Sequence, residues 1–391
     1  MTEVVIVSAK RTATGSFQGS LSDHSAVDLG CRVVSAILDE SKIQLTDISQ
    51  VIMGQVLTAG SGQNPARQVA LNCGLPVSTM CLTVNKVCGS GLKSVHLGMQ
   101  AILSEEAEFV IAGGQESMSN APHILMNSRN GTRLGDGNLT DSLVKDGLWD
   151  AFNNYHMGIT AENVASQFDI SREMQDEYAL QSHMKALEAQ RKGFFAQEIV
   201  PIEWRNRKGE SFRVAQDEGP RLATIESLSK LKPVFDKEGT VTAGNASSLN
   251  DGAAAVLLCT KETALSKGLP ILATLGAFTN SGIDPSVMGA APIQAISDCL
   301  SRSGWTENEV EHLESNEAFA AQALAVINEL NIPPECINPY GGAIALGHAI
   351  GSSGCRILVT LIHGLINEGK HRGIAALCVG GGEGVALSVY R

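Results

Sequence analysis

The chain has 391 residues, a hydrophobic fraction of 43% and 40 glycines, enough to bury a sizeable core in two or three domains or one large duplicated fold. Its formal net charge of -12 excludes general binding to nucleic acid or to an anionic membrane, while leaving room for a local basic patch. Nine cysteines at irregular spacing, with no C-x-x-C pair, exclude a disulfide framework and a structural zinc site, and point to a reducing compartment.

Val4 to Ser8 reads as a strand, and Ser25 to Glu40 has helical spacing through Val27, Cys31, Val34 and Leu38. Val51 to Met53 is a short apolar run, and Pro65 marks a helix start. Met80 to Val84 reads as a buried strand ending at Asn85-Lys86-Val87-Cys88-Gly89-Ser90-Gly91. The next helix carries Leu92, Val95, Met99 and Ile102 on one face, and a strand from Phe109 to Ala112 leads into Gly113-Gly114. This alternation predicts a layered α/β architecture. Between residues 119 and 245 charged and aromatic residues become denser, with helices expected at Thr160 to Gln167 and Glu173 to Lys192 but few buried strands. The stretch reads as an insertion covering a site on the α/β body.

The last third repeats the order of the first. The loop Gly341-Gly342-Ala343-Ile344-Ala345-Leu346-Gly347-His348 leads to Gly351-Ser352-Ser353-Gly354, then an apolar helix through Ile357, Leu361 and Leu365. A strand from Ile374 to Leu377 ends at Cys378 and Gly380-Gly381-Gly382. Loop, Gly-Ser-Gly, apolar helix, strand and glycine turn recur in both parts, which predicts a duplicated unit. The N-terminus lacks a signal h-region, Ser388 to Arg391 carries no targeting tag, and no apolar stretch spans a bilayer, so the expected location is cytoplasmic.

Two residues stand at matching strand-to-helix corners of the two parts. Cys88 opens a helix, where free N–H groups and the helix dipole favour a thiolate; it reads equally as a thiol packed under a turn. If the parts are related by duplication, His348 can face it as a base, and cysteine with histidine is a recurrent nucleophile–base arrangement. Cys378 is a second thiol candidate or a strand-end core residue. Asn316 and Glu317 read as helix caps, or as groups that hold a water or orient His348. His156 and Met157 are ordinary surface and core residues or line a tunnel. No dinucleotide fingerprint, P-loop, H-E-x-x-H or G-x-S-x-G sequence is present.

Taken together, Asn85 to Gly91, Asn316-Glu317-Ala318-Phe319-Ala320, the loop ending at His348 and Cys378-Val379-Gly380-Gly381-Gly382 resemble the thiolase family, in its order and spacing from Val4 to the C-terminus. Tyr155-His156-Met157-Gly158 and Thr242-Ala243-Gly244-Asn245-Ala246-Ser247 resemble the loop-domain motifs of its short-chain acetyl-CoA acetyltransferases. The resemblance implies a five-layered αβαβα fold of two duplicated halves with an inserted loop domain. Residues 1–118 plus 246–270 would form the N-terminal half, 119–245 the loop domain with coenzyme A and oligomer contacts, and 271–391 the C-terminal half.

It also implies reversible condensation of two acetyl-CoA to acetoacetyl-CoA and coenzyme A, with coenzyme A a substrate or product, no metal or prosthetic group, and a homotetramer. Cys88 would carry the acetyl group, His348 would take its proton, and Cys378 would move a proton at the α-carbon. Asn316, through a water, would form one oxyanion hole with His348; the N–H groups of Cys88 and Gly380 would form the other. Leu148, His156, Met157, Phe235, Ala243, Ser247, Met288, Ala318 and Phe319 would line the pantetheine path. Arg205, Arg207, Lys208, Arg213, Arg221, Lys230 and Lys232 are the basic residues on offer to coenzyme A phosphates.

Three positions depart from the family pattern. Ala349 replaces the usual proline after the histidine, which predicts a loop looser by about 0.4–1 kcal/mol. Glu383 replaces a neutral residue and is expected to disfavour a Cys378 thiolate. Pro220 stands where a basic residue is common, with Arg221 beside it as substitute. The rival readings are a ketoacyl synthase-type condensing enzyme, opposed by Cys378, and an acyl-CoA-binding protein with weakened catalysis.

Overall fold

The computed structural model describes residues 2–131, 133–205 and 209–391. The named strands are β1 (Val4–Thr12), β2 (Ile48–Gly54), β3 (Met80–Val84), β4 (Phe109–Ser117), β5 (Asn250–Thr260), β6 (Ala273–Gly282), β7 (His312–Ser315), β8 (Arg372–Val379) and β9 (Glu383–Tyr390). The named helices are α1 (Ala26–Ser41), α2 (Pro65–Asn72), α3 (Ser90–Leu103), α4 (Met157–Gln167), α5 (Arg172–Lys192), α6 (Ala291–Ser303), α7 (Ala320–Glu329) and α8 (Ile350–Glu368). Local chemistry sets several of these ends. Ser25 and Asp28 form a reciprocal capping box on α1, and Asn64 caps α2 one residue before Pro65.

The strand order is β7-β8-β9-β6-β1-β5-β4-β2-β3. Its two ends are copies of one another. In the first, β2 runs parallel to β4, β4 antiparallel to β5 and β5 antiparallel to β1. In the second, β7 runs parallel to β8, β8 antiparallel to β9 and β9 antiparallel to β6. A short antiparallel contact, Val5 with Thr274 and Ile6 with Ala273, joins them. Helices α1 and α2 cover one outer face, α6 packs on the other beside α7, and α3 packs against α8 in the middle layer. This is the duplicated, five-layered αβαβα arrangement.

The middle layer explains the recurring small residues. A Cβ on Gly91 would lie 2.7 Å from the Cys355 nitrogen, and one on Gly354 would lie 2.5 Å from the Leu92 nitrogen. Only glycine lets α3 and α8 approach backbone to backbone there. Because α8 is enclosed on all sides, its residues from Ile350 to Leu365 are buried around the turn.

Strand β3 departs from expectation. It lies at the end of the sheet, with Met80 and Leu82 exposed. An apolar run does not reveal that the strand is the last in the sheet. Between β4 and β5 the described residues add only Ile199–Val200 to the sheet, beside β1. Three further short strand pairs in this stretch bond among themselves.

A buried charge cluster fastens this stretch to β1. The Arg11 Nε donates to Glu198 at 2.6 Å, while Nη1 and Nη2 donate to the two oxygens of Asp217 at 2.6 and 2.9 Å. All three side chains are essentially fully buried. The two carboxylates raise the Arg11 pKa against the opposing effect of burial. Arg11→Ala would strand both carboxylates and is expected to cost about 3–5 kcal/mol in denaturant unfolding. A loss below about 1 kcal/mol would show that the cluster contributes little.

Candidate active site

The short connection between β3 and α3 places Cys88. Val87 has φ +44°, a strained conformation for a β-branched residue. The turn is held by Asn85 Oδ1, which accepts the Val87 N–H, and by the Ser90 hydroxyl, which donates to the Val87 carbonyl. Helix α3 begins at Ser90, so Cys88 precedes the helix rather than opening it. The N–H groups of Gly380 and of Cys88 itself face the sulfur.

His348 comes from the loop before α8. Its Nε2 lies 3.3 Å from Cys88 Sγ, and its Nδ1 lies 2.6 Å from Ser353 Oγ. The Ser353 hydroxyl donates to the Ala349 carbonyl at 2.9 Å, so Nδ1 carries the proton to Ser353 and Nε2 is the acceptor toward the thiol. Asn250 Oδ1 accepts the His348 N–H at 2.8 Å. That contact requires Gly347, whose φ is +103° and whose Cβ would meet the Asn250 side chain at 2.5 Å. Ser353, rather than Asn316, therefore orients the imidazole.

The pair is neutral at rest. Burial pushes the Cys88 thiol up to about 11, against the two facing N–H groups. Burial, and then the Arg356 charge, hold His348 down at about 4. The helix-end contribution, about 0.3–1 kcal/mol, loses to desolvation of the thiolate. The facing N–H groups do favour the thiolate, but burial outweighs them. Cys378, fully buried at the end of β8, has its pKa raised well above the usual thiol value by burial and by neighbouring Cys88. Glu383 is not the cause, because its carboxylate pairs with Lys86.

These residues meet an apolar cavity of about 460 Å³ lined by Cys88, His348, Gly380, Leu148, His156, Met157, Phe235, Ala243, Ser247, Met288, Ala318 and Phe319. His156 stacks on Phe235 and accepts the Gly158 N–H, which caps α4. Cys378 packs in the hydrophobic cluster of Met157, Met288, Ala318 and Phe319, behind that lining. Asn316 is not among the lining residues. Its buried side-chain amide makes no hydrogen bond among the described residues. Neither Asn316 nor Glu317 caps α7, which starts after Phe319; Glu317 instead accepts from Tyr178, Ser182, Asn338 and the Ile344 N–H.

Arg221 is exposed outside the lining, as are Lys230 and Lys232. Lys230 pairs with Glu226, and Arg213 pairs with Glu203. Arg207 and Lys208 lie outside the described residues, as does the side chain of Arg205. The sequence reading missed Met118, Leu249 and Ile350 in the lining, and Ser353, Asn250 and Glu116 behind it. Glu116 is buried and accepts the N–H groups of Val56, Leu57 and Gly351, and burial raises its pKa to about 7. Nearness in sequence to His348, two residues for Ile350 and five for Ser353, was the available signal among these.

Ala349 already has φ -73°, the angle proline imposes, and the loop before it is pinned through Asn250 and Ser353. The missing proline therefore acts through the unfolded chain and does not loosen the folded loop. Ala349→Pro is expected to stabilise by about 0.4–1 kcal/mol with turnover unchanged. A destabilised variant in thermal unfolding would show that the ring does not fit.

Among the described residues no group of three or more His, Cys, Asp or Glu is placed to hold a metal ion. Nor is any helix long and apolar enough to cross a membrane. The chain is 53% identical over its full length to the acetyl-CoA acetyltransferase of Pseudomonas aeruginosa, with 100% of each chain covered. It is 54% identical, with the same coverage, to the acetyl-CoA acetyltransferase of Cupriavidus necator. The crystal structure of the Bacillus anthracis acetyl-CoA acetyltransferase superposes with a TM-score of 0.97 at 41% identity, covering 100% of this chain and 99% of the other. Human mitochondrial 3-ketoacyl-CoA thiolase superposes at 0.96 and 42% identity, with the same coverage. Residues 4–262 match the thiolase N-terminal domain and residues 269–391 the thiolase C-terminal domain, and the chain belongs to the thiolase family.

Proposed function

We propose that the protein is an acetyl-CoA C-acetyltransferase, interconverting two acetyl-CoA with acetoacetyl-CoA and coenzyme A. The observation that carries this reading is a neutral thiol–imidazole pair 3.3 Å apart at an apolar cavity, with a second buried thiol behind it. The names of the full-length relatives support the acetyl substrate. Met157 and Met288 in the lining support a short acyl chain.

In the cleavage direction Cys88 Sγ attacks the keto carbonyl of acetoacetyl-CoA and passes its proton to His348 Nε2. The carbon–carbon bond breaks, and the departing enolate of acetyl-CoA takes a proton from Cys378. This leaves an S-acetyl Cys88, an imidazolium and a Cys378 thiolate. The imidazolium returns its proton to the Cys378 thiolate; neutral His348 then takes the thiol proton of coenzyme A, which attacks the acetyl group, and returns it to the departing Cys88 thiolate. Condensation is the same sequence reversed. A water held by Asn316, with His348, forms one set of donors for the oxygens that become negative, and the N–H groups of Cys88 and Gly380 form the other, a lost donor costing about 2.7–4 kcal/mol. A high Cys378 pKa suits this role, because the strong base needed to take an α-proton is a weakly acidic thiol at rest.

Residues 119–245 form the proposed loop domain, between 1–118 and 246–270 of the N-terminal half, with 271–391 as the C-terminal half. Strand pairs that bond among themselves support that division. Exposed Leu125, Met126, Leu134 and Leu139 support oligomer contacts in this stretch, consistent with a cytoplasmic homotetramer. The test is loss of acetoacetyl-CoA on addition of coenzyme A. Acetyl-CoA as product supports the reading. Binding of acetoacetyl-CoA without turnover would instead identify an acyl-CoA-binding protein.

A further inference from the structure

Outside the cavity, two of the cysteines are brought together by the outer helical layer. Cys31 sits on α1, and Cys73 ends α2, its N–H donating to the Val69 carbonyl at 3.0 Å. Cys31 Sγ lies 4.0 Å from that same carbonyl, while Cys73 Sγ lies 3.6 Å from the Cys31 carbonyl. The two thiols perturb one another's ionisation, and the Ser35 hydroxyl reaches Cys73 Sγ at 3.5 Å. Each sulfur therefore lies against a carbonyl of the other residue's helix. Both residues are half-buried, so a small reagent can reach them, whereas Cys259, Cys299 and Cys355 are buried.

We infer that Cys31 and Cys73 form a redox-responsive pair that a low-molecular-weight disulfide such as oxidised glutathione converts to an intramolecular disulfide linking α1 to the end of α2. The roles of the two sulfurs differ. Donation from the Cys31 thiol and the Ser35 hydroxyl depresses the Cys73 pKa, while the same contact with Cys73, followed by burial, raises that of Cys31. The Cys73 thiolate attacks one sulfur of oxidised glutathione and expels a glutathione thiolate, giving a mixed disulfide. Cys31 then loses its proton, attacks the Cys73 sulfur and expels the second glutathione. The pair gives up two electrons and two protons, and one oxidised glutathione becomes two reduced ones. Cys88, whose thiol is held up at about 11, is the slower target because it is the thiolate that attacks. The inference does not depend on the proposed reaction, since α1 and α2 lie in an outer layer and contribute no residue to the cavity.

The test treats the whole protein with oxidised glutathione at neutral pH, blocks remaining thiols and maps peptides without reduction. The expected result is a Cys31–Cys73 linked peptide, reversed by dithiothreitol, with turnover retained. The link closes a loop between residues 42 apart and is expected to raise the melting temperature. Cys31→Ser should hold glutathione on Cys73 and lose that rise; Cys73→Ser should leave Cys31 free. Recovery of both as free thiols, or stable glutathione on Cys73 of the unsubstituted protein, would overturn the inference.

Discussion

Cys88→Ala is expected to reduce both acetoacetyl-CoA cleavage and acetyl exchange to background, a loss on the order of 10⁴-fold or more. The reason is positional. Cys88 Sγ is the sulfur that faces the cavity, has His348 Nε2 within 3.3 Å and has two backbone N–H groups aimed at it. Cys378, the other nearby thiol, packs in an apolar cluster, and among the described residues no imidazole is hydrogen-bonded to it. Alanine keeps the turn and removes only the sulfur, so the variant should unfold at nearly the parent temperature. Retained exchange in a folded Cys88→Ala protein would require a different acyl carrier.

Cys378→Ala is expected to separate the two half-reactions. Acetyl exchange between acetyl-CoA and labelled coenzyme A needs Cys88 and His348 but no proton at carbon, and should survive at a substantial fraction of the parent rate. Cleavage and condensation need that proton and should fall by about 10²–10⁴-fold. Because Cys378 is fully buried, the smaller side chain leaves a cavity, and Cys378→Ser serves as a control of nearly equal volume. Equal loss of exchange and cleavage in both folded variants would mean that Cys378 supports the site's structure and moves no proton. Glu383 should not mimic this effect, since its charge is met by Lys86.

Much of this site was legible because its chemistry is carried in short local runs. The glycine frame around Cys88 and the loop ending at His348 mark two corners, and the repeated order of loop, helix and strand implied that they meet. The duplicated strand pairing now gives that inference a physical basis: α3 and α8 are equivalent helices packed together, so the residues before them converge. What remained hidden depends on neighbours remote in sequence. Nothing near Glu116 says that it collects N–H groups from Val56, Leu57 and Gly351, and nothing near Arg11 announces Glu198 and Asp217. The net protonation of Cys88 is hidden for a related reason. Helix position can be read from sequence, but the depth of the cavity that desolvates the sulfur cannot. Strand β3 shows the same limit, since its apolar run conceals its place at the sheet edge.

The most direct measurement is to mix the protein with acetyl-CoA alone, quench in acid within the first turnover and locate the acetyl group by peptide mass. The expected result is one acetyl group on the peptide between Lys86 and Lys93, at Cys88, with an equal amount of coenzyme A released. An acetyl group on Cys378, or turnover without any acetylated cysteine, would contradict the central claim.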